Sequence, residues 1–376
     1  MTIGIDIRIL GSARRSGIVE YAEQLISRMI AAAPEHRFKL FYASARRTVP
    51  RSSWMKAPNV DLYAFPIPNN LLFALNRIID WPKIDHLIGG VDVFFSPHLF
   101  IVSLSEQCRR VTTFHDLSYL RFPEFFTARK RLWHTLEMNP ARQMRLSQRI
   151  IAVSDSTKSD LVRYYNIDPA NVVVIHSGMG LVPPSPERLA EFKANHQLPD
   201  RFILSLNTLE PRKNISGVIR AFSHLRETPG FEDLRLIIGG DRGWLHEEIF
   251  QEIERSPAQR YIRYAGYIPD AERGYYYSAA SAFVYPSFFE GFGFPVLEAM
   301  ACGTPVVTAH NSSLPEVAGD AALLVDPYNV SDIAAGLKMI LTDSSLCERL
   351  TKKGFARVKE FSWNRTVEQT LAILTR

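Results

Sequence analysis

Residues Ser281–His310 read SAFVYPSFFEGFGFPVLEAMACGTPVVTAH, and this stretch decides the fold. Ala282–Tyr285 is a short apolar run ended by Pro286, the pattern of a buried strand. The loop Ser287–Phe294 carries Glu290, Gly291 and Gly293. Pro295 suits the first position of a helix, where its missing N–H costs nothing. Gly303, Thr304 and Pro305 punctuate the far end before the next apolar run, Val306–Thr308. Strand, glycine loop, short helix, turn and strand follow one another within thirty residues.

Two carboxylates, Glu290 and Glu298, stand eight apart, one in the loop and one in the helix. The free N–H groups of a helix amino terminus lie between them, a preformed anion site. Singly, Glu298 also reads as a partner of the helix dipole and Glu290 as a solvated loop charge. The whole constellation of acid, two glycines, proline, acid and Gly-Thr-Pro favours a ligand site.

The segment EGFGFPVLEAMACGTPVV resembles the E-x7-E signature of retaining glycosyltransferases of family 4. The resemblance implies an α/β protein of the GT-B fold: two facing Rossmann-like, doubly wound domains with a cleft between them. It places Glu290 beside the donor sugar and Glu298 on the ribose hydroxyls. It also sets the backbone of Gly291, Phe292, Gly293, Phe294, Pro295, Val296 and Leu297 against sugar oxygens and the pyrophosphate.

Length and composition agree with a two-domain soluble protein. The chain has 376 residues, 46% hydrophobic and 22% charged. It contains no apolar run of about 18 residues, as a spanning helix requires. The opening MTIGIDIRIL sets an acid and a base within its apolar run, unlike a signal peptide. Cys108, Cys302 and Cys347 are far apart and suggest a reducing, cytoplasmic compartment. A net charge of +5 suits anionic ligands or an anionic membrane surface and does not by itself imply nucleic acid.

Ile3–Arg8 reads as the first strand, and Ile18–Ala32 as a helix with Val19, Ala22, Leu25, Ile26 and Met29 on one face. The loop between them carries Gly11, Ser12, Ser16 and Gly17; a glycine turn there is where doubly wound sheets bind ligands. The family resemblance extends to this loop, with SGIVEY in place of a commoner double-glycine form, and makes Gly17 a donor contact. Phe38–Tyr42 and Val91–Phe95 read as strands, with an apolar helical stretch at 65–87 between them. That stretch is either core or a surface for a lipid-linked acceptor. Val111–Phe114 leads into His115 and Asp116, and the family's H-D-L element puts this histidine near the transferred sugar. Residues 122–148 are rich in arginine with interleaved aromatics, which suits a solvated face or peripheral docking on anionic lipid at the inner face of the plasma membrane. Arg149–Val153 and Val172–Ile175 flank a helix capped by Asp155 or Ser156, and a Gly/Pro/Ser-rich stretch after His176 marks a boundary.

The second half restarts the pattern. Phe202–Leu206 is a strand, followed by NTLEPRKN and a helix to about Leu225. Adjacent Arg212 and Lys213 call for an anion, and a pyrophosphate supplies one. TLEPRKN resembles the subgroup that builds bacterial surface polysaccharides, often from GDP-mannose. By the same resemblance, the turns at Gly240 and Ile268 border the nucleotide base. The domains expected are 1–178 on the acceptor side and 179–359 for the donor, with a C-terminal helix in 360–376 crossing back to the first. The partners implied are a nucleotide-sugar donor and a glycan or lipid-linked acceptor. No two aspartates are separated by one position, so transfer without a metal or cofactor is the consistent reading. A nucleotide-sugar epimerase, a glycan phosphorylase, a UDP-sugar-dependent transferase and a non-catalytic nucleotide-sugar-binding regulator are the alternatives. An NAD-dependent dehydrogenase would need a glycine fingerprint that is missing.

Overall fold

A computed structural model describes residues 1–12, 16–45, 50–134 and 138–376. The first loop and the basic stretch 122–148 therefore fall partly outside the described residues, at 13–15 and 135–137. The chain divides into two compact units. The first comprises Met1–Tyr119, Ala128–Gly178 and Ser362–Arg376; the second comprises Leu120–Thr127 and Met179–Phe361.

The first unit holds β1 (Thr2–Asp6), β2 (Arg37–Ala43), β3 (Val60–Phe65), β4 (Val93–Ser96), β5 (Arg109–Phe114), β6 (Arg149–Ala152) and β7 (Val172–Val174). They form one sheet in the order β3-β2-β1-β4-β5-β6-β7. Among the described residues every pairing in it is parallel. Its central strands are covered on both faces: Gly4, Ile5 and Asp6 follow one another buried in TIGID, and all of VFFS is buried. The helix Gly17–Ala32 buries Val19, Ala22, Leu25, Ile26 and Met29, the face its spacing predicts. The helix Trp363–Leu374 also belongs to this unit: Thr366 Oγ1 donates to His176 O at 2.8 Å, and the Trp363 and Tyr21 rings lie 6.2 Å apart.

Three expectations change here. β3 is an additional edge strand, paired only with β2 among the described residues; its apolar run LYAF is only partly buried and was not read as a strand. The helical stretch at 65–87 is two helices, Asn69–Ile78 and Ile84–Leu87, because Pro82 cannot continue a helical hydrogen-bond ladder. Of its apolar residues Leu72 is buried, whereas Leu71, Ile78, Ile79 and Trp81 are exposed by 51, 78, 59 and 57%. The helix Asp155–Tyr165 is capped by Ser154, whose Oγ accepts from Thr157 N at 3.1 Å, rather than by Asp155 or Ser156.

The stretch 122–148 is not one amphipathic helix. Its first residues lie in the second unit, where the Phe122 and Phe125 rings pack 5.8 and 5.3 Å from those of Phe289 and Phe288. In the first unit Arg142 is drawn into a polar network, donating to Asp80 Oδ1 at 2.5 Å and Asn76 O at 2.7 Å.

The second unit holds β8 (Phe202–Leu206), β9 (Arg235–Gly239), β10 (Ile262–Gly266), β11 (Ala282–Tyr285), β12 (Val306–Ala309) and β13 (Leu323–Val325). Their order is β10-β9-β8-β11-β12-β13, again parallel throughout the described pairings. Ile215, Val218, Ile219, Phe222 and Leu225 on the helix Ile215–Arg226 pack with Ile203, Leu236, Ile238 and Val284 of the sheet to make its core.

Candidate active site

In the second sheet the strand order reverses between β8 and β11. Open parallel sheets bind ligands outside the carboxyl ends of their strands at such a point, because the two loops there diverge and leave a crevice. The loop after β8 carries Arg212 and Lys213; the loop after β11 carries Glu290. Residues that lie 77 apart in sequence are thus brought into contact.

Lys213 Nζ donates to Glu290 Oε1 at 2.6 Å and to Tyr285 Oη at 2.8 Å. Arg212 Nη1 donates to Glu290 Oε2 at 3.0 Å and to Phe289 O at 2.7 Å. Its Nε and Nη2 both donate to Glu210 Oε1, at 3.0 and 2.6 Å. The adjacent cations therefore have protein carboxylates as counter-ions, where the sequence suggested that an external anion was needed. Glu290 is only 6% exposed, which also removes the solvated-charge reading. Burial opposes its charge, yet Lys213 and then Arg212 outweigh it and hold the carboxyl down at about 2. Burial and the neighbouring Arg212 pull the Lys213 ammonium below the usual lysine range, against the attraction of Glu290 and Glu210. The site sets an ionised Glu290 carboxylate between the Lys213 and Arg212 side chains.

Glu298 is the fifth residue of the helix Phe294–Ala301, beyond its first turn, so the dipole reading does not hold for it. Instead Arg273 Nη1 donates to its Oε1 at 2.8 Å and Tyr277 Oη to its Oε2 at 2.7 Å. Both donors come from the helix Asp270–Ala279, which fixes the carboxylate plane from one side.

The loop between the two glutamates is pinned from beneath. Glu290 N donates to Ser312 Oγ at 3.0 Å, and Ser313 Oγ donates to Glu290 O and Phe292 O at 3.0 and 2.7 Å. Gly293 caps the helix at φ 110, a conformation that L side chains rarely adopt. Val296 N donates to Gly293 O at 3.1 Å, and Pro295 has no N–H to give. The side chains of Phe292, Val296 and Leu297 are core. What Gly291, Phe292, Gly293 and Phe294 can offer a ligand is therefore backbone.

Gly240 follows β9, donates its N–H to Gly266 O at 2.7 Å and accepts from Tyr264 Oη at 3.0 Å. A Cβ there would lie 1.7 Å from Asn207 O, so the position demands glycine for close packing. Ile268 is buried against Gly239, whereas Tyr267 is exposed.

The remaining sequence-derived residues lie in the first unit. His115 follows β5 and is half-buried; its Nε2–H donates to Pro97 O at 2.8 Å and its ring meets Tyr21 edge-on at 4.9 Å. Burial pulls its imidazole down to about 4, against the Pro97 hydrogen bond, so it is neutral at pH 7. Gly17 is the exposed first residue of its helix, next to the Ser16 cap.

Sequence reading did not single out Glu210, Arg273, Tyr277 or Tyr285 as ligands of the key side chains. It also passed over Asp6, Arg8 and His98, which meet where β1 and β4 end, at the reversal of the first sheet. Arg8 Nη2 donates to Asp6 Oδ2 at 2.6 Å, and its guanidinium lies 5.3–5.4 Å from the Phe41, Phe73 and Phe100 ring centres. The signal available was an acid and a base, IDIR, inside an otherwise apolar opening.

Residues 187–357 match the family model described as Glycosyl transferases group 1, and residues 15–181 match that of Glycosyltransferase Family 4. The chain is 35% identical over 371 residues to the O-antigen chain mannosyltransferase B of Escherichia coli, covering 95% of each chain. Among solved structures, sucrose-phosphate synthase from Thermosynechococcus elongatus superposes with a TM-score of 0.77 at 21% identity, over 99% of this chain and 98% of that one. HepE of Anabaena, solved in complex with UDP and glucose, gives 0.75 at 17% identity over 100 and 99%. The structural likenesses carry the fold alone, and the fold is GT-B. With both halves matched and a relative aligned along nearly its whole length, the chain belongs to glycosyltransferase family 4.

Proposed function

We propose that this glycosyltransferase is a retaining, metal-independent mannosyltransferase, moving mannose from GDP-mannose to a glycan or lipid-linked acceptor during assembly of a bacterial surface polysaccharide. The observation that carries the reading is the buried Glu290 carboxylate, held ionised by Lys213 and Arg212 at the reversal of the second sheet. The relative aligned over 95% of its length supports the sugar and the setting.

In this reading Lys213, Arg212 and the backbone at the start of the helix Phe294–Ala301 stabilise the departing diphosphate. Each such contact is worth on the order of 3 kcal/mol in the transition state. The bond from the anomeric carbon to the phosphate oxygen breaks. The acceptor hydroxyl oxygen then bonds to that carbon on the same face, and a phosphate oxygen takes the hydroxyl proton. Glu290 stabilises the positive charge that builds on the sugar ring and orients its hydroxyls. Glu298, set by Arg273 and Tyr277, holds the ribose, and neutral His115 accepts or gives a hydrogen bond at the sugar. In this reading the N–H groups at the start of the helix Phe294–Ala301, together with Lys213 and Arg212, take the place of a metal at the diphosphate. The enzyme works in the cytoplasm, at the inner face of the membrane, through the exposed patch of Leu71, Ile78, Ile79 and Trp81 beside Arg77.

The test is product analysis with GDP-mannose and a mannosylated acceptor in EDTA. An α-linked product from the α-configured donor supports retention. Reaction of the donor without an acceptor would point to an epimerase, and a phosphate requirement to a phosphorylase.

A further inference from the structure

β5 and β6 run side by side and begin with Arg109 and Arg149. A cavity of about 610 Å³ lies between these strand starts and the helix Trp363–Leu374. Gln369, Ala372 and Ile373 line it from one face of that helix, and Arg376 from just beyond its end. Its volume is that of a small-molecule site.

The charged side chains of the lining are of one sign. Arg109, Arg149 and Arg376 border the cavity, and no aspartate or glutamate does. Among the described residues none of these arginines has a carboxylate partner. The acceptors that hold them are neutral: Arg109 Nη2 donates to Ile373 O at 3.3 Å and Arg149 Nη1 to Asn171 Oδ1 at 3.1 Å. Gln148 Oε1 accepts from Arg110 N at 2.6 Å, which leaves the amide N–H groups of that side chain as donors. Cations gathered round one cavity repel each other, and an anion relieves the repulsion. Guanidinium forks match the oxygens of phosphate.

We infer that this cavity binds a phosphorylated small molecule, with its phosphate or diphosphate between Arg109 and Arg149 and its uncharged part against Ala170, Val173 and Ala372. The site is separate from the sugar-transfer machinery. Arg109 opens β5 and His115 follows its other end, roughly 20 Å away at the rise of an extended strand. Carboxyl ends of parallel strands carry the chemistry, so a ligand at the opposite end acts as an effector. It would clamp the helix Trp363–Leu374 to the edge of β5 and β6.

The probe is inorganic diphosphate, measured by equilibrium dialysis at low salt on the full chain. Wild type is expected to bind at two sites, here and at Lys213. The double variant R149Q/R376Q, whose side chains are both exposed, should lose one site, and K213A the other. Arg149→Lys, which keeps the charge and loses the fork, should weaken the first by about tenfold. Wild-type stoichiometry and affinity in R149Q/R376Q would overturn the inference. Loss there with no loss in K213A would instead count against the donor site alone. Phosphatidylglycerol vesicles separate the sources: vesicle binding that disappears with R149Q/R376Q assigns the cavity to a lipid-borne phosphate, and vesicle binding that persists assigns it to a soluble one. Both assignments keep the phosphate site.

Discussion

Lys213 Nζ stands 2.6 Å from Glu290 Oε1 and 2.8 Å from Tyr285 Oη, joining the end of β11 to the loop after β8. One side chain thus fixes the buried Glu290 carboxylate and ties together the two loops of the sheet reversal. Removing either partner leaves the other charge buried with fewer contacts, a loss of about 3–5 kcal/mol for pairs of this kind. The glutamine and methionine replacements are therefore the informative ones, since they keep volume.

Glu290→Gln keeps the shape and acceptor oxygen but not the charge. Transfer should fall by about 100-fold or more, while donor affinity changes far less. Comparing kcat with the dissociation constant of GDP-mannose checks this. An equal loss in both would make Glu290 a binding group only.

Acid should expose the same carboxylate. Its folded pKa is about 2 against an ordinary 4.5, so its contribution to stability is full above 4.5 and disappears as pH falls toward 2. Denaturation curves of wild type and Glu290→Gln should converge as pH drops from 5 to 2.5. His115 acts higher up: its folded value is about 4 against 6.5, so the native state binds fewer protons and stability falls as pH drops between those values. His115→Asn should flatten the curve in that window.

Gly240→Ala places a methyl group 1.7 Å from Asn207 O at φ 130. Nothing flexible can yield, because the obstacle is backbone. The variant should lose at least about 3 kcal/mol or fail to accumulate as folded protein, read by urea denaturation or soluble yield.

Much of this was legible in the sequence, for a physical reason. Parallel strands are buried on both faces, so FILSL and AFVY stand out as apolar runs, and glycine and proline mark the turns that follow them. β3 carries a comparable run, LYAF ended by Pro66, and was legible by the same rule although the sequence reading passed over it. Glu290, Glu298 and Lys213 were visible as a motif, but Glu210 and Arg273 were not. Nothing local shows that Arg212 will fold back onto an acid two residues away, or that Glu298 will find a cation 25 residues upstream. Apolar spacing likewise could not tell the buried Leu72 from the exposed Ile78, since both sit on one short helix.

Ile78, Ile79 and Trp81 should support binding to phosphatidylglycerol vesicles, with Trp81 lying at the headgroup level. Replacing Ile78 and Trp81 with serine should abolish co-sedimentation and leave the transfer to a soluble acceptor unchanged. Equal sedimentation of both proteins would remove this surface from the membrane.

The most direct measurement is a thermal-shift panel of GDP-mannose, UDP-glucose, ADP-glucose and dTDP-glucose, each with and without EDTA, on wild type and Lys213→Met. A site occupied at a hundredfold excess gains about 2.7 kcal/mol. Stabilisation by GDP-mannose alone, indifferent to EDTA and lost in Lys213→Met, is the expected result. Stabilisation by a different nucleotide-sugar, or one that EDTA removes, would contradict it.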